Sequence, residues 1–154
     1  LSDFRILLSN HHNVPFSLRL YGIFSYRKIS LSLPSLRVDS FTKELMEKIS
    51  ESTKATIDFF GKNVTYVNVM RNMSVDCDCV AHPEDPCMKD IGILVSTDPI
   101  AIDQACIDLV YAATDDPGQA HLLERIESRR GVYTIEASAA LGFGSREYEL
   151  VEVE

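Results

Sequence analysis

Three of the four cysteines, one of the four histidines and four carboxylates fall within twelve residues, Asp76-Cys77-Asp78-Cys79-Val80-Ala81-His82-Pro83-Glu84-Asp85-Pro86-Cys87. Thiolate, imidazole and carboxylate are the side chains that hold metal ions, and chains seldom concentrate them by chance. The candidate ligands are Cys77, Cys79, Asp76, Asp78, His82 and Cys87, and the fitting cofactors are an iron–sulfur cluster or zinc. The spacing C-x-C-x2-H-x4-C differs from zinc-ribbon and ferredoxin patterns, which are built on C-x2-C pairs. Two other readings stand beside a metal site: a pair of accessible redox thiols, and a structural loop with incidental cysteines. The flanking Asp76, Asp78, Glu84 and Asp85 favour metal over a nucleophilic cysteine, because without a cation they repel a thiolate and raise the thiol pKa.

A second group of chemically capable residues is Asp98-Pro99-Ile100-Ala101-Ile102-Asp103. Asp98 is suited to cap a helix with Pro99 in its first position. Asp103 lies near the first turn, where the helix dipole favours a carboxylate. Together with Asp76 and Asp78, these acids supply the hard oxygen ligands of a divalent ion such as Mg²⁺. A shared site at one sheet edge requires that the strand before the cysteine run and the strand before Asp98 be parallel. Gly142-Phe143-Gly144-Ser145-Arg146 resembles a phosphate loop only in its glycines, which a helix end and a tight turn explain.

These residues need a framework, and the pattern from residue 39 onward supplies one. Asp39 or Ser40 is expected to cap a helix with Phe41, Leu45, Ile49, Ile57 and Phe60 on one side, ending at Gly61. Val64 to Val69 is β-branched and aromatic, so it reads as a strand. The apolar run Ile91 to Val95 reads as a strand covered on both faces. A helix from Asp98 to about Ala113 carries Ile102, Ala105, Cys106, Leu109 and Val110 as its apolar stripe. Asp115-Asp116-Pro117-Gly118 marks a turn, helices follow near 119–129 and 132–141, and Glu147 to Val153 closes as a strand. The expected fold is α/β, a small mixed sheet with covering helices, preceded by an irregular N-terminal arm.

That arm, residues 1–38, has five basic residues and one acid, a net charge of +4, against −8 for the 154-residue chain. The remainder, residues 39–154, is expected to form the α/β domain. The overall negative charge argues against nucleic-acid binding. No apolar run is long enough to span a bilayer, and no signal peptide is evident, so no membrane association and a cytoplasmic location are expected. Clustered cysteines in such a setting favour metal or redox roles over disulfides. A first residue of Leu rather than Met points to a fragment or a processed chain.

Four separated blocks occur in a recognisable order: Asp76 to Cys79, Asp90 to Leu94, Asp98 to Ala105, and Leu141 to Leu150. Over residues 40–154 the chain resembles the domain of unknown function 362 family, uncharacterised iron–sulfur centre proteins. The resemblance implies an iron–sulfur electron-transfer setting, because members resembling this one commonly carry ferredoxin-like cysteine motifs upstream. It also centres the ligand role on Cys77 and Cys79 and places Cys87 where an apolar residue is expected. This chain has no ferredoxin motif of its own, so a ferredoxin-like domain or electron carrier is the implied partner. The resulting expectation is an iron–sulfur-associated protein with a metal-binding or redox loop at Cys77/Cys79. The alternatives are a non-catalytic domain that docks a ferredoxin-like module and a divalent-metal carboxylate enzyme.

Overall fold

Local signals in the sequence set the element order of the protein, a computed structural model that describes residues 6–9, 35–76 and 81–153. In chain order the elements are β1 (Ile6–Ser9), α1 (Ser35–Phe60), β2 (Tyr66–Met70), β3 (Gly92–Ser96), α2 (Pro99–Ala112), α3 (Gln119–Ser128), α4 (Gly131–Ala140) and β4 (Leu150–Val153). The fold is the mixed α/β arrangement that the sequence predicts. Residues 10–34, which make up most of the N-terminal arm, lie outside the described residues, whereas Ile6–Ser9 joins the sheet. Among the described residues no helix is long and apolar enough to cross a membrane.

The sheet order is β2-β3-β1-β4. β1 runs parallel to β3 and antiparallel to β4, and β2 is antiparallel to β3 with Asn68 opposite Leu94. Directly opposed residues share a face, so Tyr66, Asn68, Met70, Leu94 and Ser96 point one way. That face packs against α2, and there Met70, Leu94, Ile102, Ala105, Val110 and Leu122 form the core with Val75 and Met88 of the long β2–β3 connection. The opposite face carries Val67 and Val69, 41% and 57% exposed. On that face Ile93 and Val95 of β3 are half-buried, so β3 is covered fully on one face and only in part on the other, where its apolar run predicts full cover on both.

α1 begins at Ser35, so Asp39 and Ser40 lie inside it rather than capping it. Val38, three residues before Phe41, carries the helical apolar spacing past the expected cap, and an Asp within a helix costs only a few tenths of a kcal/mol in propensity. Its contact with α4 centres on Ser50, fully buried, which donates to the carbonyls of Met46 and Thr134 and accepts from Ser138. Small hydroxyl residues here let the two helices approach closely, with every buried side-chain polar atom among the described residues hydrogen-bonded.

Candidate functional site

The β2–β3 connection is anchored at both ends. Met73 and Met88 form an antiparallel bridge, and the Cys87 N–H donates to the Met73 carbonyl at 2.9 Å. Asp90 accepts from the Asn72 N–H at 2.9 Å and pairs with Arg71. Val75 and Met88 are buried in the core, which fixes the two flanks through apolar contact. The α2–α3 turn supplies the outer support. Asp116 accepts from the Lys89 N–H at 2.9 Å and from the Gly118 N–H at 2.8 Å. Those two backbone donors, Lys89 first, hold the Asp116 carboxyl below the usual carboxylate range.

α3 then lies along the connection. Arg125 pairs with Asp76, and His121 stands 3.6 Å from Glu84. Arg125 supplies a positive charge next to the acidic run and uses Asp76 as its counter-ion. Cys87 is half-buried, packs against the core and directs its thiol at the Met73 carbonyl, 3.5 Å away. His82 is exposed. Cys77, Asp78 and Cys79 lie outside the described residues, between the anchored Asp76 and the exposed Ala81. Among the described residues no three His, Cys, Asp or Glu side chains form a group suited to a metal ion.

The second predicted group is built differently. Asp98 caps α2 as its sequence position predicts, with Oδ1 accepting from the N–H groups of Ile100 and Ala101 at 2.8 and 3.0 Å. Its Oδ2 accepts from the Ser145 N–H at 2.9 Å, so the carboxylate ties α2 to the Gly142–Arg146 turn. Gly144 makes this approach feasible: a Cβ there would overlap Asp98 Oδ1 and lie 2.6 Å from Ile100 Cγ1. Arg146 continues the link by donating to Gln104 Oε1 at 2.7 Å and standing 3.6 Å from Glu136. Tyr148 donates to Asp108 at 2.7 Å, and burial, with that hydrogen bond, pushes its phenol up to about 12. The two glycines thus serve helix termination and close packing.

Asp103 lies apart from Asp98 in chemistry. Its Oδ1 accepts from Asn68 Nδ2 at 3.0 Å, and the same amide nitrogen lies 3.3 Å from Cys106 Sγ. Burial among apolar neighbours pushes the Asp103 carboxyl up, opposed by the Asn68 hydrogen bond. The Cys106 thiol is pushed up to about 11, first by burial and lastly by the nearby Asp103 charge, so it is a poor nucleophile at neutral pH. A raised carboxyl favours the folded state at pH values below its unfolded pKa, and that contribution is lost as pH rises through the folded pKa. Asp103→Asn, which retains the oxygen facing Asn68, is therefore expected to leave stability equal or slightly higher at pH 7. The gain, under about 1 kcal/mol because the residue is solvent-accessible, should vanish near pH 3 in urea unfolding.

The antiparallel pairing separates the two groups. The cysteine run leaves β2 at Met70, which pairs with Gly92, whereas Asp98 follows Ser96, which pairs with Tyr66. Four residues of extended strand, roughly 14 Å, stand between those edges. The parallel arrangement that a shared site required does not form.

The family recorded as Domain of unknown function (DUF362) matches residues 10–108. The chain belongs to this family. The DUF362 match covers the cysteine run, Asp98, Asp103 and Cys106, and reaches into the N-terminal arm, which the four-block resemblance over residues 40–154 left out. It stops before Asp116, Gly118, Arg125 and the Gly142–Arg146 turn, so their contacts reach back into the DUF362 region from outside the match. No curated protein and no solved structure matches the chain. Asn68, Asp116, Gly118 and Arg125 were not singled out by sequence spacing, because their long-range partners lie 27 to 49 residues away; only Asp116-Pro117-Gly118 left a trace, as a turn.

Proposed function

We propose that the Cys77–His82 segment is a thiolate-based metal-binding loop, in a protein that works beside an iron–sulfur electron carrier in a reducing, cytoplasmic setting. The observation that carries this reading is the way the loop flanks are fastened. Asp76 is committed to Arg125 and Cys87 to the Met73 carbonyl and the core. Those bonds weigh against the outer candidates, and the reading rests on Cys77, Asp78, Cys79 and His82, which adjoin one another in sequence. Two thiolates, an imidazole and a carboxylate suit zinc or a single iron ion by ligand chemistry. A four-iron cluster takes four thiolates, so a cluster would draw further cysteines from a ferredoxin-like domain. When bound, such a metal supplies a redox or structural centre; the chain's own part is to fix the loop ends and to offset its charge with Arg125.

Metal analysis of anaerobically purified protein tests the reading. Wild type is expected to hold close to one equivalent of zinc or iron, or a shared cluster when its partner is present. Cys77→Ser/Cys79→Ser should fall at least about tenfold in metal affinity, while Cys87→Ser should retain the metal. Near-zero metal in both wild type and double variant would sink the idea.

A docking role for a ferredoxin-like module is favoured by a different observation, the exposed Val67 and Val69 on the outer sheet face. Metal-free wild type that still co-elutes with a ferredoxin would favour it. The carboxylate-enzyme reading draws little support, since Asp98 spends both oxygens on backbone donors and Asp76 pairs with Arg125.

A further inference from the structure

α2, α3 and α4 do not close completely on one another. Between them lies an open-sided cleft of about 270 Å³, lined by Ile100, Ile107, Ile126 and Ile135 and, at one wall, by Asp103 and Cys106. This volume is close to the lower end of small-ligand sites, which characteristically pair apolar walls with a few oriented polar groups. The other polar side chains on the lining are already engaged inside the protein. Ser138 donates to Ser50 Oγ at 2.9 Å, and Thr134 donates to Met46 Sδ at 2.8 Å. Asp103 is thus the polar group left to meet a ligand, and it is solvent-accessible.

We propose that this cleft binds a small primary ammonium group carried on a compact apolar body, with Asp103 as its counter-charge and Asn68 as the residue that orients the carboxylate. The argument rests on three features. Among the described residues no lysine or arginine pairs with Asp103, whose one side-chain partner there is the neutral Asn68 amide, so no described cation offsets its charge. Asn68 already occupies Oδ1, which leaves a single oxygen: enough for an ammonium donor but not for the two-point grip that guanidinium prefers. A metal cation would need several oxygen ligands, and the isoleucine walls offer none. This site is independent of the cysteine loop, although α3 borders both, with Arg125 on the loop and the next residue, Ile126, in the cleft wall.

The test uses the full chain with isoleucine methyl groups labelled for NMR, and three probes of one shape: benzylammonium, benzyl alcohol and benzoate at pH 7. Saturable shifts at Ile107, Ile126 and Ile135 are expected with benzylammonium, at an affinity about tenfold or more above that for benzyl alcohol, and no binding of benzoate. Asp103→Asn should erase that tenfold preference and leave benzyl alcohol unchanged. Ile107→Phe, which fills the cleft without touching its charge, should abolish binding of both probes. Equal affinity for amine and alcohol, a preference that survives in Asp103→Asn, stronger binding of benzoate, or no saturable shift with any probe would each overturn the proposal. The dispersed methyl spectrum of each variant reports its folding in the same experiment.

Discussion

Replacing Gly118 with alanine is expected to destabilise the domain by about 3 kcal/mol, the upper part of the range for overpacking a filled site. The cause is space rather than backbone strain, because Gly118 has an ordinary φ of −86°. A Cβ at this position would overlap the carbonyl oxygen and carbon of Cys87 and lie 3.1 Å from the Met88 nitrogen. All three atoms are backbone, so none can rotate away as a side chain would. Nor can the Cys87–Lys89 segment retreat freely, since Cys87 N–H is bonded to Met73 and Lys89 N–H to Asp116. The variant must either lose those bonds or pull α3 away from Asp76. Urea unfolding should show a lower midpoint. Gly61→Ala provides the comparison: its φ is +59° with nothing within 4 Å, so it should cost only about 1 kcal/mol from left-handed strain. A Gly118→Ala cost no larger than this would mean that the close approach is absent. Asp116 offers a second readout. Its lowered pKa contributes stability that is complete above the unfolded value of about 3.9 and is lost as pH falls through the folded value. Displacing Lys89 and Gly118 should return the Asp116 titration, followed by NMR, toward that ordinary value. If the cysteine loop holds metal, the same variant should lose metal as well.

The elements of this fold were legible where the signal is local. Asp98-Pro99 announces the start of α2, Gly61 and Gly142 stand at helix ends with φ of +59° and +76°, and the β-branched run before Met70 becomes β2. Strand direction was also within reach. Parallel neighbours need a crossover, usually a helix, and the described residues between β2 and β3, 71–76 and 81–91, contain no helix. The lack of a helical pattern in that proline-containing stretch, rather than its length, therefore spoke for an antiparallel return, which places Asp98 away from the cysteine run. Two features were not legible. Ser50 lies at the centre of the α1–α4 contact although its type suggests a solvated position, because close helix approach rewards small residues over apolar ones. The pairing of Arg125 with Asp76 joins residues 49 apart in sequence, and by residue type His121, Arg129 and Arg130 nearby were candidate partners as well. Residue type pointed to a ligand set, but only the tertiary contacts show which of its members are already engaged.

Asp98→Ala should be nearly as damaging as the glycine substitution, at about 3 kcal/mol, combining a lost helix cap with an unsatisfied amide. Three backbone N–H groups rely on this carboxylate: those of Ile100 and Ala101 in the first turn of α2, and that of Ser145 from a turn 47 residues away. The first two losses loosen one helix. The third releases the Gly142–Arg146 turn, and with it the Arg146–Gln104 and Tyr148–Asp108 contacts that bind the C-terminal segment to α2. Asp98→Asn separates these contributions. Its amide oxygen can still cap α2, but its amino group then faces the Ser145 N–H, donor against donor, so about half of the loss should remain. A metal-ligand role for Asp98 predicts the reverse pattern, with metal content falling in the asparagine variant while stability holds. The phenol of Tyr66 supplies a spectroscopic check. Burial raises its pKa, and the Asp98 charge raises it further. Removing that charge in either variant should move the ultraviolet titration of Tyr66 part of the way back toward an ordinary tyrosine, while the share due to burial persists as long as the sheet edge stays packed. A Tyr66 titration unchanged in Asp98→Asn, together with full stability, would show that the carboxylate does not hold this junction.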